Sequence, residues 1–207
     1  LTDNIVPGSY DFLDLDADPT NPSNDSDHGT SVAGIIAATG WNDKGGRGVA
    51  PDASLIGYNY LQNPTTSNSV MVWGLDPPVA ASVDIYNLSY GNGYADGETL
   101  YNLSWFLNPD LEDALLHGVT ELRMGKGAIY LWSSGNEFEL HSNSGCGEYL
   151  SCVETLWDNY SSVPYIMSIG SISANGLVST YTTPGSSLWV SGIGGDSGLN
   201  YSFAIST

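Results

Sequence analysis

The sequence predicts an α/β domain of three layers (αβα), with helices on both faces of a mostly parallel central sheet, and three observations carry that expectation. Short, near-continuous apolar runs rich in Ile, Val and Tyr recur along the chain, as strands buried on both faces should. A helical pattern stands between two of them, so strand, helix and strand follow in order, which implies parallel pairing through a right-handed crossover. The 207 residues, 41% of them hydrophobic and 25 of them glycine, suffice for one sizeable core with many loops.

In chain order, the first element is a helix over Asp27 to Ala38, made of small and apolar residues with Val32, Ile35 and Ile36 as anchors. Candidate strands run from Leu55 to Leu61, Val83 to Leu88, Ala128 to Trp132 and Tyr165 to Ile169. Asn108-Pro109 opens a second helix, with Leu111, Ala114, Leu115, Val119 and Leu122 on one face and a close at Gly125 or Gly127. Leu188-Trp189-Val190 reads as a further strand. No repeat, linker or low-complexity tract divides residues 1–207, so one domain is expected.

Charge narrows the partners. Against 23 acidic residues stand 4 basic ones, a formal net charge of -19, which excludes nucleic acid as a natural ligand. Such an excess suits cation binding, basic substrates or solubility in a salty extracellular medium. No run of about 18 apolar residues occurs, so no membrane span is encoded in this chain. Cys146 and Cys152 lie close enough for a local disulfide, which by itself leaves the compartment open.

In parallel sheets the site lies beyond the carboxyl ends of strands. Those ends are Leu88-Ser89-Tyr90-Gly91 and Ser133-Ser134-Gly135-Asn136. A titratable imidazole, His28, stands where an acidic, Ser- and Asn-rich loop enters the first helix. It is a catalytic base or a surface histidine beside an N-cap.

His28-Gly29-Thr30-Ser31-Val32-Ala33-Gly34, then Gly48-Val49-Ala50-Pro51, Asp84 to Gly91, Gly118 to Glu121 and Gly127 to Asn136 together resemble subtilases, and more narrowly their kexin and proprotein-convertase branch. The resemblance covers essentially the whole chain. It implies that His28 is the general base and Asn136 the oxyanion-hole amide. It implies that Ser89, Tyr90 and Gly91, with Ser133, Ser134 and Gly135, are the two edges between which a peptide or protein substrate is clamped as an added strand. Asp158, followed by Asn159 and Tyr160, matches the acidic floor of the S1 pocket, and Asp25 matches an acid of S2. Ala95 before Asp96, and Met71, stand where that branch has further acids, so cleavage after a basic residue with relaxed demands elsewhere is expected.

Calcium is the expected structural cofactor. Asp11, Asp16 and Asp18 form a flexible acidic loop of hard oxygen ligands and match three aspartates of a convertase calcium site; a solvated acidic loop is the alternative. The stretch Gly40 to Gly46 matches the calcium loop of subtilases, which would use the carbonyls of Thr39, Lys44 and Gly46 and the side chain of Asn42. The family also implies a secreted, extracellular or periplasmic monomer.

Two members of the expected triad have no match. In subtilisin order the aspartate precedes the histidine by about 32 residues and the serine follows it by about 157. The first count overshoots Leu1, and the second lands near Ser186 and Ser187, which precede a strand instead of opening a buried helix. The expectation is therefore an internal piece of a catalytic domain, truncated at both ends and inactive alone. Gly195-Asp196-Ser197-Gly198 with His28 and Asp84 offers a chymotrypsin-like order, but that fold is a double β-barrel and this pattern is α/β. The non-enzyme alternative is a pseudoprotease or calcium-stabilised peptide-binding module.

Overall fold

The structure, a computed structural model, describes residues 1–20, 27–75, 82–91, 107–136, 138 and 155–196. The described residues fall into two compact units, residues 1–75 and 82–196.

The first unit holds β1 (Tyr10–Asp11), α1 (His28–Ala37), β2 (Tyr58–Asn59) and α2 (Thr66–Val72). β1 and β2 pair in parallel, Tyr10 opposite Tyr58, and a bridge between Ile5 and Leu55 extends the contact. Regular strand thus occupies only two residues of the run expected from Leu55 to Leu61. Phe12, 3% exposed, sits among Tyr10, Tyr58 and Tyr60 with ring centroids 4.9 to 6.3 Å away, an aromatic cluster in place of an aliphatic core.

α1 buries Gly34 and Ala37, while Val32, Ile35 and Ile36 are half-buried. The small residues are inside because Gly48-Val49-Ala50 lies directly against the end of the helix. The amides of Gly48, Val49 and Ala50 donate to the carbonyls of Ala38, Ile35 and Ile36 at 2.9, 3.0 and 2.8 Å. These bonds satisfy carbonyls that a helix C-terminus leaves without partners. Only glycine permits the approach, since a Cβ on residue 48 would lie 2.4 Å from the amide nitrogen of Ala38. Asn4 ties the same corner, its amide donating to the carbonyls of Ala37 (2.8 Å) and Pro51 (2.7 Å).

The second unit is a four-stranded parallel sheet in the order β3 (Ile85–Leu88), β4 (Ile129–Ser133), β5 (Ile166–Ile172), β6 (Leu188–Ile193). The α/β class read from the sequence is the class observed. Between β3 and β4 runs α3 (Pro109–Thr120), started by Asn108, whose side chain accepts from the Asp110 amide at 2.9 Å, and by Pro109 in the first turn. Asp110 and Glu112 lie at its positive end and His117 at its negative end. Leu111, Ala114, Leu115 and Gly118 are its buried face.

Gly118 is the point of closest approach to the sheet. A Cβ there would collide with the hydroxyl of Tyr130, 1.8 Å away. Tyr130 itself stacks on Tyr86, centroids 4.7 Å apart and 4° from parallel, and burial pushes its hydroxyl above the ordinary tyrosine range. The regular helix ends earlier than Gly125, because Arg123 and Met124 within α4 (Leu122–Gly125) adopt left-handed φ of 56° and 59°. Arg123 there pairs with the Asp84 carboxylate and donates to the Gly127 carbonyl at 3.0 Å.

Burial on both faces of every strand is corrected by the structure. Tyr86, Leu88, Tyr130, Trp132 and Ile166 are buried on one face, whereas Ile85 and Ile129 on the other are 54% and 43% exposed. Among the described residues of this unit, α3 packs on the Tyr130 face, where Gly118 meets the Tyr130 hydroxyl.

Candidate active site

His28 is the first residue of α1 and is exposed. Its place is set from the far end of the helix, where the Gly48 to Ala50 amides and Asn4 lock the last turn. Asp25, the expected S2 acid, lies outside the described residues, as do Ala95, Asp96, Cys146, Cys152 and Ser197.

The remaining expected catalytic and substrate-binding residues lie in the second unit. β3 and β4 are adjacent, with Leu88 opposite Trp132, so the chain leaves both strands side by side at their carboxyl ends. Ser89, Tyr90 and Gly91 follow one strand, and Ser134, Gly135 and Asn136 follow the other. The Ser133 hydroxyl reaches the Tyr90 carbonyl at 3.5 Å, and the Asn87 amide donates to the Ser89 hydroxyl at 2.8 Å.

The loop that presents Asn136 is pinned from beneath. The Ser134 amide donates to the Ile169 carbonyl (3.0 Å), its buried hydroxyl bonds that of Thr182 (3.0 Å), and the Thr183 amide donates to the Gly135 carbonyl (3.2 Å). Gly135 has φ of 99°, after which Asn136 is exposed. A fixed backbone with an outward side-chain amide is what an oxyanion donor requires. Thr182, absent from the sequence reading, also accepts from the Ser171 amide at 3.0 Å and so joins the loop to β5. Nothing local in the sequence marks it.

Asp158, half-buried, is held on three sides. Its Oδ2 accepts from the Trp132 indole N–H at 2.6 Å and from the Ser161 hydroxyl at 3.1 Å, and its Oδ1 accepts from the Tyr160 amide at 3.1 Å. Trp132 stacks on Tyr160 (4.5 Å, 29°) and meets Tyr90 edge-to-face (5.1 Å, 67°). A carboxylate thus sits beside an aromatic row that starts at the β3 exit, crosses β4 and ends in the loop before β5. Trp132 and Ser161 were not singled out in the sequence. The available signal for Trp132 was strand alternation, which puts it on the buried face with Tyr130 and directly before Ser133.

Ser187, near the expected serine count, and Asp196, within the Gly195 to Gly198 motif, are both engaged. Ser187 donates to the Thr155 hydroxyl, and Asp196 accepts from the amide and hydroxyl of Thr180 at 3.3 and 2.7 Å.

Asp11, Asp16 and Asp18 do not form a cation cage as folded here. Asp11, 1% exposed, accepts from the amides of Leu13 (2.6 Å) and Asp14 (2.9 Å) through Oδ1 and from the Asn59 side chain (2.7 Å) through Oδ2. The Asn59 bond leads in holding its carboxyl below the ordinary aspartate range, the Asp14 amide next, against the opposing effect of burial. Asp16 accepts from the Asp18 amide (2.8 Å), and Asp18 from the amide and hydroxyl of Thr20 (3.1 and 2.6 Å). The Thr20 hydroxyl is the main cause of a lowered Asp18 carboxyl. Among the described residues no three acidic, histidine or cysteine side chains converge on a point that could hold a metal.

In the second expected calcium loop, the Asn42 side chain accepts from the Lys44 amide at 3.1 Å. Trp41, Asp43 and Gly45 all have left-handed φ of 55° to 60°. The guanidinium of Arg47 lies 5.8 Å from the Trp41 ring centroid, and residues 41–47 line an open hollow of about 350 Å³.

A profile described as the subtilase family matches residues 3–202. An extracellular serine protease of Aeromonas sobria is 30% identical over all of this chain, which spans 34% of that relative. Furin-like protease 2 of Drosophila melanogaster is 35% identical over 75% of the chain, corresponding to 9% of its own length. Among solved structures, the Aeromonas sobria serine protease in complex with its chaperone superposes with a TM-score of 0.82 at 27% identity, over 100% of this chain and 35% of that one.

Proposed function

Because this chain belongs to the subtilase family, we propose that it supplies the base, the oxyanion donor and the substrate-holding edges of a serine endopeptidase that cleaves after basic residues. The observation that carries the proposal is the parallel register of β3 and β4, which sets Ser89 to Gly91 beside Ser133 to Asn136.

In this reading His28 takes the proton of the nucleophilic hydroxyl and later returns it to the leaving amine. An extended substrate pairs with the two strand exits through backbone hydrogen bonds, and Asn136 donates to the oxygen of the tetrahedral intermediate. Asp158 supplies the negative charge that favours a basic side chain before the scissile bond. Replacing Asn136 by Ala is expected to lower kcat by about 10² to 10³ with little change in KM, because the donor acts on the charge that develops in the transition state. Unchanged kcat in Asn136→Ala would remove the oxyanion role.

Calcium belongs to the same proposal as a structural ligand of the Asp11 to Asp18 loop and of the Thr39 to Gly46 loop. The aspartates concentrated in the first loop support it, although they now accept backbone and side-chain hydrogen bonds that a cation would have to displace. Calcium should raise the melting temperature relative to chelator, and Asp16→Ala should diminish the rise. Equal melting temperatures with and without calcium would dismiss both sites. Secretion is supported by the extracellular character of the Aeromonas relative.

A further inference from the structure

The three donors on Asp158 bear on which basic side chain it can accept. A carboxylate offers about four lone-pair positions, and a guanidinium claims one on each oxygen when it binds as a fork. Both positions of Oδ2 are taken, by the Trp132 indole N–H and the Ser161 hydroxyl, and Oδ1 already accepts from the Tyr160 amide. These three donors are neutral, so none of them cancels the carboxylate's charge, while the fork is blocked at Oδ2.

The second arginine-specific contact, stacking of the guanidinium plane on an aromatic face, is pre-empted at Trp132. Trp132 is 2% exposed, with Tyr160 stacked on it and Tyr90 in an edge-to-face contact with it. An ammonium, by contrast, needs charge and no planar fork.

We propose that the Asp158 site selects side chains by positive charge and not by guanidinium shape, so that lysine and arginine are accepted alike, with Trp132 and Ser161 as the positioning residues that impose this. The proposal rests on the reading of Asp158 as the specificity acid.

The test is the binding of labelled tetrapeptide amides that differ only in a last residue of Arg, Lys or norleucine, which requires no turnover. The expected dissociation constants for Arg and Lys agree within about threefold, with norleucine at least about tenfold weaker. Trp132→Phe keeps the aromatic ring but removes the N–H, and Ser161→Ala removes the other donor to Oδ2. Each should move the Arg-to-Lys ratio toward arginine by about tenfold, a change that mere loosening of the loop would not produce. If Trp132→Phe fails to fold, Ser161→Ala reads the same oxygen.

A preference for Arg over Lys of tenfold or more in the unaltered protein overturns the inference and leaves the basic-residue reading standing. Equal binding of Arg, Lys and norleucine overturns that reading and the inference with it. An Arg-to-Lys ratio that neither variant moves overturns the positioning role.

Discussion

The two units reach order by different means. In residues 1–75 the regular strands are two residues long, and side chains bonded to backbone do much of the joining: Asn4 to the end of α1, Asp11 to the Leu13 and Asp14 amides, Asn63 to the Phe12 carbonyl at 3.1 Å. In residues 82–196 a four-stranded parallel ladder and a buried face of Tyr86, Leu88, Tyr130, Trp132 and Ile166 carry the structure. The difference teaches why the two kinds of site residue are presented differently. His28 is placed by the bonds that hold the far end of α1, whereas Asn136 follows the end of β4 and Asp158 is held by hydrogen bonds from β4 and from its own loop.

The largest expected effect tests the packed unit. Trp132→Ala removes a fully buried indole and should cost about 3 to 5 kcal/mol, read by denaturant unfolding. Amide exchange should accelerate across β3 to β5, and equal acceleration in residues 1–75 would show that the two units open together.

A smaller effect tests the polar unit. Gly48→Ala forces a methyl against the Ala37 and Ala38 amides, which are backbone and cannot swing aside. The expected cost is about 1 to 3 kcal/mol, with exchange accelerated in α1 and little changed in the parallel sheet. An unaltered melting temperature would mean that the 48–50 segment does not hold the helix end.

The smallest effect is acid sensitivity. Asp11 has a folded-state carboxyl pKa below its ordinary value. Its contribution to stability is therefore complete above the ordinary aspartate pKa of about 3.9 and is lost as pH falls through the lowered folded value. Asp18 contributes in the same direction. Asn59→Leu, which removes the leading cause of the Asp11 shift, should flatten the loss of protection in residues 1–75 as pH falls below the ordinary aspartate pKa of about 3.9. An unchanged acid profile in that variant would dissociate Asp11 from the polar joining of the unit.

Much of the candidate site was legible because its residues are neighbours in sequence. Ser133 to Asn136 and Ser89 to Gly91 follow apolar runs, so strand ends and their chemistry could be read together. The α3 start was legible from Asn108-Pro109 for the same local reason. The holders of Asp158 were not, since Trp132 lies 26 residues away and meets it only when β4 pairs with its neighbours. Nor was Thr182, which serves Ser134 across 48 residues. Burial of both sheet faces was over-read, because an apolar run does not state which face a helix will cover.

By itself the sequence determined the α/β class, the strand-end motifs and the family, all properties of short stretches whose patterns survive without knowledge of contacts. Only the tertiary structure decided which face of the sheet is covered, that the acidic loop turns its carboxylates onto backbone amides, and that Asp158 is already bound by an indole and a hydroxyl. The Asn59 side chain on Asp11 and the Trp132 indole on Asp158 come from 48 and 26 residues away, and directional bonds between distant residues leave no periodic trace in the chain.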